Sequence, residues 1–467
     1  MLVLRLPFRV IIPSERENHS INEGIFQSGV TSMTKVPIEE NYLESDEFRF
    51  DGKAALILSG GGARGGYQIG CWKALKDHGI KIAGVYGTSV GSINAAAVAM
   101  DNFELATELW KNMDYSTVME ITPEVESVIQ MAKAKAGIRE VFMGIKLLMD
   151  GRGIDITPLR QCLHSRVDEE YVRKSGIDFG LVTYSLSDMR PVMLYINEIP
   201  RGMLVDYILA SANYPVFKRE EFDRRKFIDG GVYINIPIDM ARKKGFTSMV
   251  VIDIGTKSLI DRLRVIAGTF DRDKTLYIRP KRHFGSPMQF EREITMKYLI
   301  EGYLDTLTAL GVVQGSYTYI YETEDILAKL FWSIDEETFS RALGILNIER
   351  KKTESPMYFY FRQLLPLLEV GFKTYGSKRI LCDLADYTFE LMEIEELELY
   401  SGFDFFEAIS AKPPVSFENV RGATINDIPL AGLLEMLSLV YRKSRFRVKR
   451  PARFDLYRSS LDFLGAK

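Results

Sequence analysis

Residues 54–100 leave this chain few ways to fold. Ala54-Ala55-Leu56-Ile57-Leu58-Ser59 is a continuous apolar run, the pattern of a parallel strand covered on both faces. Gly60-Gly61-Gly62-Ala63-Arg64-Gly65-Gly66 follows at once, and then a helical stretch from Tyr67 to His78 that stops near Gly79. A second apolar run, Ile82 to Tyr86, enters Gly87-Thr88-Ser89-Val90-Gly91, and Ile93 to Met100 suits a buried helix. Strand, glycine loop, helix, strand, glycine turn, helix is the order of a parallel α/β sheet.

The Gly-x-Ser-x-Gly turn puts Ser89 at the crest of a sharp strand-to-helix bend. Gly87 and Gly91 permit the strained backbone and the close passage of neighbouring chain. A serine at a helix N-terminus sits where unpaired N–H groups and the dipole favour developing negative charge. The glycine loop allows two readings. Gly60, Gly62 and Gly65 match Gly-x-Gly-x-x-Gly after a strand and before a helix, the dinucleotide fingerprint. That fingerprint expects a carboxylate at the end of the next strand, where this chain has Gly87-Thr88-Ser89 instead. The other reading is an oxyanion hole, in which exposed backbone donors stabilise a tetrahedral oxyanion by about 3 kcal/mol each. Arg64 then anchors the loop or adds positive potential.

Further along, 13–50 is polar and aperiodic, which predicts an irregular lead-in. A helix is expected at Asn102–Met113. Amphipathic stripes follow through Val125, Val128, Ile129, Ala132 and Ala136, and after Gly137 through Val141, Phe142, Ile145, Leu148 and Met149. These helices either pack on the sheet or form a lid over an apolar channel. Asp155-Ile156-Thr157-Pro158-Leu159 reads as a helix start. Two strands, Phe179–Tyr184 and Pro191–Ile196, precede a helix at Leu204–Asn213. Lys226-Phe227-Ile228-Asp229 is a short strand ending in a carboxylate and then Gly230-Gly231. Met249–Ile254 and Leu276–Arg279 complete the strands. Beyond Arg292 the chain turns helical and aromatic, with helices expected at Tyr298–Gly311, Thr323–Ile334 and Tyr358–Gly371.

Composition narrows the function classes. The net charge of −3 over 467 residues gives no bulk attraction to nucleic acid. The three cysteines, Cys71, Cys162 and Cys382, have neither metal-ligand spacing nor a disulfide framework, so a reducing cytoplasm is expected. No uncharged apolar run reaches the length of a membrane span, and Arg5, Pro7 and Arg9 interrupt the apolar start, so a signal peptide is not expected. Arg442, Lys443, Arg445, Arg447, Lys449, Arg450 and Arg453 cluster around Phe446 and Val448. Such a cluster is either solvated surface or a peripheral contact with anionic lipid headgroups.

Ser89 needs a base within hydrogen-bond reach. The chain has four histidines. In the order Ser…Asp…His, His283 is the one that follows Asp229 or Asp253, and it lies in a basic loop. The alternative is direct proton transfer to a carboxylate, for which Asp229 at its strand end is placed well. Three motifs in order, Gly60-Gly61-Gly62-Ala63-Arg64-Gly65, Gly87-Thr88-Ser89-Val90-Gly91 and Asp229-Gly230-Gly231, resemble the patatin-like phospholipases. Asp155–Leu159 and Ala210-Ser211-Ala212-Asn213-Tyr214-Pro215 also resemble segments of that family, with departures at Tyr214 and Lys218. The resemblance covers about residues 52–310.

Composition and pattern give an N-terminal extension (1–50) and a mainly helical C-terminal remainder (311–467), about which the resemblance says nothing. The resemblance marks 51–310 as the catalytic domain and implies a three-layer α/β/α fold with a mainly parallel central sheet. It further implies a Ser89–Asp229 dyad hydrolase of lipid acyl esters, with the glycine loop as oxyanion hole and with no metal or cofactor. Two other readings stay open: an esterase with a Ser89–Asp–His283 triad, and a non-enzymatic nucleotide- or lipid-binding module.

Overall fold

The structure is a computed structural model that describes residues 53–133, 153–222, 224–255, 274–315, 318–321, 325–349, 354–374, 377–391, 397–411, 422–447 and 453–465. The expected lead-in, the second amphipathic stripe after Gly137, and Lys449 and Arg450 of the basic cluster lie outside these residues.

Strands β1 (Ala54–Leu58), β2 (Ile82–Thr88), β3 (Asp178–Ser185), β4 (Arg190–Tyr195), β5 (Glu220–Phe222), β6 (Arg225–Asp229), β7 (Met249–Ile252) and β8 (Thr275–Ile278) form one eight-stranded sheet. Its order is β5-β6-β3-β2-β1-β7-β8, with β4 also on β3. The run from β3 through β2, β1 and β7 to β8 is parallel. β4 and β6 both lie antiparallel to β3, and β5 lies antiparallel to β6.

The apolar runs build this sheet because successive side chains point to opposite faces and both faces are covered. Leu56, Leu58, Val85, Leu181, Val250 and Ile252 enter a large core on one side. Ala55, Ile57, Tyr86, Val182 and Val251 enter a smaller one on the other. Burying each such aliphatic side chain contributes about 1.5–3 kcal/mol. Helices α1 (Gly66–Asp77), α2 (Val90–Ala99), α3 (Phe103–Lys111), α4 (Pro123–Lys133), α5 (Thr157–Arg166), α6 (Glu169–Lys174) and α7 (Leu204–Ser211) precede α8 (Ile238–Lys243) and the long α9 (Arg292–Ala309). Buried residues of α1, α2 and α9 lie in the larger core, and Ile238, Met240 and Ala241 of α8 lie in the smaller. The arrangement has three layers, α/β/α, around a mainly parallel sheet, as the sequence predicts.

Local signals explain several boundaries. The Asn102 side chain accepts the Leu105 N–H and starts α3. Asp155 Oδ1 accepts the Thr157 N–H at 2.7 Å, and Pro158 sits in the first turn of α5. The expected helix at Tyr298–Gly311 instead begins at Arg292, because its polar first turn carries no side-chain cap that would mark it. Its packing on α1 is very close. A Cβ on Gly302 would stand 2.0 Å from the Tyr67 carbonyl oxygen, and one on Gly70 would stand 1.9 Å from that of Leu299.

The C-terminal region has its own core, built on α10 (Ile326–Trp332), α11 (Glu336–Ile345), the helical segment 356–372, α12 (Ser377–Leu391), α13 (Gly402–Ala411) and α14 (Leu430–Lys443). Two short strands there, β9 (Tyr319–Tyr321) and β10 (Leu399–Ser401), pair in parallel. The last helix, α15 (Phe454–Leu464), returns to the first core through Phe454, Tyr457, Leu461 and Leu464. Cys71, Cys162 and Cys382 are buried thiols in no disulfide. Among the described residues no helix is long and apolar enough to cross a membrane.

Candidate active site

The register around β3 decides where the reactive groups lie. β2 pairs with β3 up to Thr88↔Val182, and β6 pairs with it from Thr183↔Asp229 to Ser185↔Phe227. β4 pairs with β3 from Gly180 to Ser185, overlapping both. A strand has two edges, so β4 takes one while β2 and β6 share the other, meeting end to end between Val182 and Thr183. Ser89 is the residue after β2, and Asp229 is the last residue of β6. The Ser89 hydroxyl therefore donates to Asp229 Oδ2 at 2.5 Å across a sequence gap of 140 residues. The sequence places Asp229 at the end of a strand in a parallel sheet. The structure corrects the direction: β6 is antiparallel, and this lets its end face the end of β2.

Ser89 has φ 55° and ψ −130°, outside the comfortable range for a side-chain-bearing residue. The bend is held from several sides. The Ser89 N–H donates to Ser211 Oγ at 2.9 Å, and the Ser211 hydroxyl donates to the Val182 carbonyl at 2.6 Å. Ser92 Oγ donates to the Ser89 carbonyl at 2.6 Å. Gly91 lies so near β1 that a Cβ there would be 2.3 Å from the Leu58 carbonyl oxygen, and a Cβ on Gly87 would be 2.2 Å from that of Gly91. Ser89 follows directly into α2, so its hydroxyl stands at that helix's N-terminus.

Asp229 is 5% exposed and Ser89 8%. Burial disfavours the carboxylate and pushes its pKa up to about 6, offset in part by the bonds from the Ser89 hydroxyl and the Gly231 N–H. Gly231 N donates to Asp229 Oδ1 at 2.7 Å, and the Asp229 N–H donates to the Asn213 carbonyl at 2.8 Å. Gly230 packs on the Val182 carbonyl. The carboxylate is thus aimed by one oxygen held on backbone while the other faces Ser89.

The glycine loop leaves the end of β1 beside Ser89. Its donors are not all available. Gly60 N donates to Asn235 Oδ1 at 2.9 Å, Ala63 N to the Pro287 carbonyl at 2.8 Å, and Arg64 N to the Gly61 carbonyl at 3.4 Å. The N–H groups of Gly61 and Gly62 have no protein acceptor among the described residues. Arg64 anchors the loop: Nε and Nη2 reach the Gly285 carbonyl at 3.3 and 3.2 Å, and Nη1 reaches that of Ile254 at 3.4 Å. A buried polar network supports the loop from below. Trp110 Nε1 donates to Asn94 Oδ1, and Asn94 Nδ2 donates to Gln68 Oε1 and to the Gly65 carbonyl. Gln68 Nε2 in turn donates to the Ser59 carbonyl at 2.8 Å.

Among the other groups singled out in sequence, His283 is exposed in the loop after β8. Asp253 accepts from the Tyr277 hydroxyl at 2.5 Å and from the Gly255 N–H at 3.1 Å. Ser211, Asn235 and the Asn94–Gln68 pair are supporting residues that sequence reading missed. Ser211 lies inside a segment already noted for its resemblance, but polar residues inside apolar helices carry no local sign of the partners they meet.

The open, mainly parallel sheet thus brings a serine and a carboxylate together at its strand ends. Residues 56–242 match the family model described as patatin-like phospholipase. Patatin-like phospholipase domain-containing protein 6 from Mus musculus is 26% identical over 210 residues, covering 44% of this chain and 14% of that protein. Lysophospholipase NTE1 from Meyerozyma guilliermondii is 24% identical over 244 residues, covering 50% and 15%. The chain thus spans about one seventh of the length of these curated relatives. Among solved structures, VipD from Legionella pneumophila aligns with a TM-score of 0.37 and 14% identity over 85% of this chain and 92% of that one. ExoU from Pseudomonas aeruginosa, solved with SpcU, aligns at 0.31 and 15% over 88% and 84%.

Proposed function

We propose that this chain is a lipid acyl hydrolase working through a Ser89–Asp229 dyad. The observation that carries the reading is the 2.5 Å hydrogen bond from a strained serine at the start of α2 to a buried carboxylate. The printed names of the relatives, phospholipase domain-containing protein and lysophospholipase, support lipid esters as the substrate class.

In this reading Ser89 Oγ attacks the acyl carbonyl carbon while its proton passes to Asp229 Oδ2. The carbonyl electrons move onto oxygen, and the oxyanion is met by the N–H groups of Gly61 and Gly62 together with the positive end of α2. Collapse breaks the bond to the alcohol, which takes the proton from Asp229. Water then attacks acyl-Ser89, gives its proton to Asp229, and releases the fatty acid as Ser89 regains its hydrogen. Asp229 is mainly ionised at neutral pH, so it accepts the first proton without a histidine between. The segment 51–310 would hold this chemistry. The buried thiols suit a reducing cytoplasm.

The test is labelling with a fluorophosphonate probe together with a lipidomic comparison of wild type and Ser89→Ala on mixed phospholipids, glycerides and simple esters. Labelling at Ser89 and loss of fatty-acid release in the variant are expected. A folded chain that is not labelled at Ser89 would sink the proposal.

A further inference from the structure

Two helix ends in the C-terminal region meet at a surface that the dyad does not use. α10 ends at Trp332-Ser333 and α14 at Lys443-Ser444. The Ser333 and Ser444 hydroxyls hydrogen-bond each other. The Arg445 N–H donates to the Ser333 carbonyl at 3.3 Å, and the Phe446 N–H donates to Ser444 Oγ at 3.0 Å. Lys329 Nζ lies 5.3 Å from the Phe446 ring centre. This stitching joins the helix end that carries Trp332 to the segment that carries Arg442, Lys443, Arg445 and Arg447, all four of them exposed. Asp335, beside Arg445 and Lys443, and Glu407, which accepts from the Tyr441 hydroxyl, offset part of that charge.

The bland account is that basic residues in a last helical turn complement the helix dipole. It covers Arg442 and Lys443. Arg447, past the helix end, donates to the carbonyl of the capping residue Ser444 and is covered in part. Arg445 is not covered, nor is a tryptophan left 75% exposed. The chain as a whole is at −3, so the patch is local and not part of a general basic field. Cations among anionic headgroups together with an indole at the interfacial layer form a surface contact that needs no spanning helix.

We infer that this face docks on an anionic lipid bilayer, with the four cations among the headgroups and Trp332 in the interfacial layer. The choice of lipid over other polyanions rests on the proposed lipid hydrolase function. The two are tested apart, because docking is read on Ser89→Ala and hydrolysis is read on a soluble monomeric ester.

The chain has three tryptophans, and Trp72 and Trp110 are 2% and 1% exposed, so a change of indole environment on binding reports Trp332. Full-length Ser89→Ala is mixed with vesicles of phosphatidylcholine alone or of phosphatidylcholine with phosphatidylserine. Co-sedimentation and a blue shift of intrinsic fluorescence are expected with the anionic vesicles only, both weakening with salt. Trp332→Ala abolishes the shift. Neutralising Arg442, Lys443 and Arg445 to Gln weakens binding roughly fivefold per cation, on the order of a hundredfold in all. In an otherwise wild-type chain the same changes leave melting and soluble-ester hydrolysis unaltered. Absence of the blue shift overturns the inference whether or not the variants fold. So does binding that is equal on both vesicles, binding indifferent to the substitutions, or displacement of vesicles by single-stranded RNA with the same shift.

Discussion

Asn235 grips the backbone of Gly60 with both ends of its side-chain amide. Its Oδ1 accepts the Gly60 N–H at 2.9 Å and its Nδ2 donates to the Gly60 carbonyl at 3.4 Å. The two residues are 175 positions apart. Gly60 opens the loop that carries the free donors, whereas Asn235 follows Asp229 by one short turn. A single side chain thus sets the spacing between the two halves of the proposed catalytic apparatus.

Asn235→Ala is expected to lower kcat by about 10- to 100-fold with little change in KM, because a shift of about 1 Å in a reacting geometry has that scale of effect. The rate of fluorophosphonate labelling at Ser89 should fall in parallel. Loss of the buried bonds should also cost about 1–3 kcal/mol in denaturant unfolding. A normal labelling rate in a destabilised variant would confine Asn235 to a structural role.

Gly60 faces Ser89 directly. A Cβ there would stand 2.9 Å from Ser89 Cβ and 2.6 Å from Asn235 Oδ1. Gly60→Ala should therefore reduce turnover by at least about a hundredfold, while circular dichroism shows the helical content retained. Wild-type turnover in the variant would show that the loop can move away from the serine without consequence.

The elevated pKa of Asp229 has two consequences of opposite sense. As a proton acceptor it must be ionised, so kcat/KM should rise with pH through about 6 and level off above. Asp229→Asn should be low and flat across that range, by about 10²–10⁴-fold. For stability, a carboxyl whose folded pKa exceeds its unfolded value favours folding when protonated, and that advantage is lost as pH rises from about 4 to about 6. Above that window Asp229→Asn should stabilise the protein by up to about 3 kcal/mol relative to its effect at pH 4, read as urea midpoints at both pH values.

Glu301 on α9 is fully buried. Its Oε1 accepts the Arg282 N–H at 2.9 Å, and its Oε2 has no hydrogen-bond partner among the described residues. Burial raises its pKa first and the neighbouring Asp305 carboxylate raises it further, against Arg282 and Lys281. The same sign applies: a protonated Glu301 favours folding, and that contribution disappears as pH rises through its elevated pKa. Glu301→Gln should unfold at a higher temperature than wild type in alkaline buffer and nearly match it near pH 5. Equal melting curves at alkaline pH would show that the ionised group is fully compensated.

The chain's order of apolar runs and glycine turns made β1, α1, β2 and α2 readable to within a few residues, because both faces of those strands are covered and every side chain must be apolar. Leu399–Ser401 pairing with Tyr319–Tyr321, and Glu220–Phe222 beside β6, were not readable. Each is only three residues long, too short for a period, and each is ordered by its partner. The return of α15 to the first core likewise depends on contacts such as Phe463 with Phe103, distant in sequence.

By itself the sequence determined the α/β class through local periodicity and offered Ser89 as the proposed nucleophile, and the resemblance of three ordered motifs pointed to Asp229 as its proposed partner. Tertiary structure alone decided that β2 and β6 share one edge of β3 and meet end to end. It also decided which of the glycine-loop donors stay free, because Asn235 and Pro287 claim two of them from afar. The physical reason is the same in both cases. Strand register and hydrogen-bond competition are settled between segments distant in sequence, and no local pattern in either segment encodes its partner.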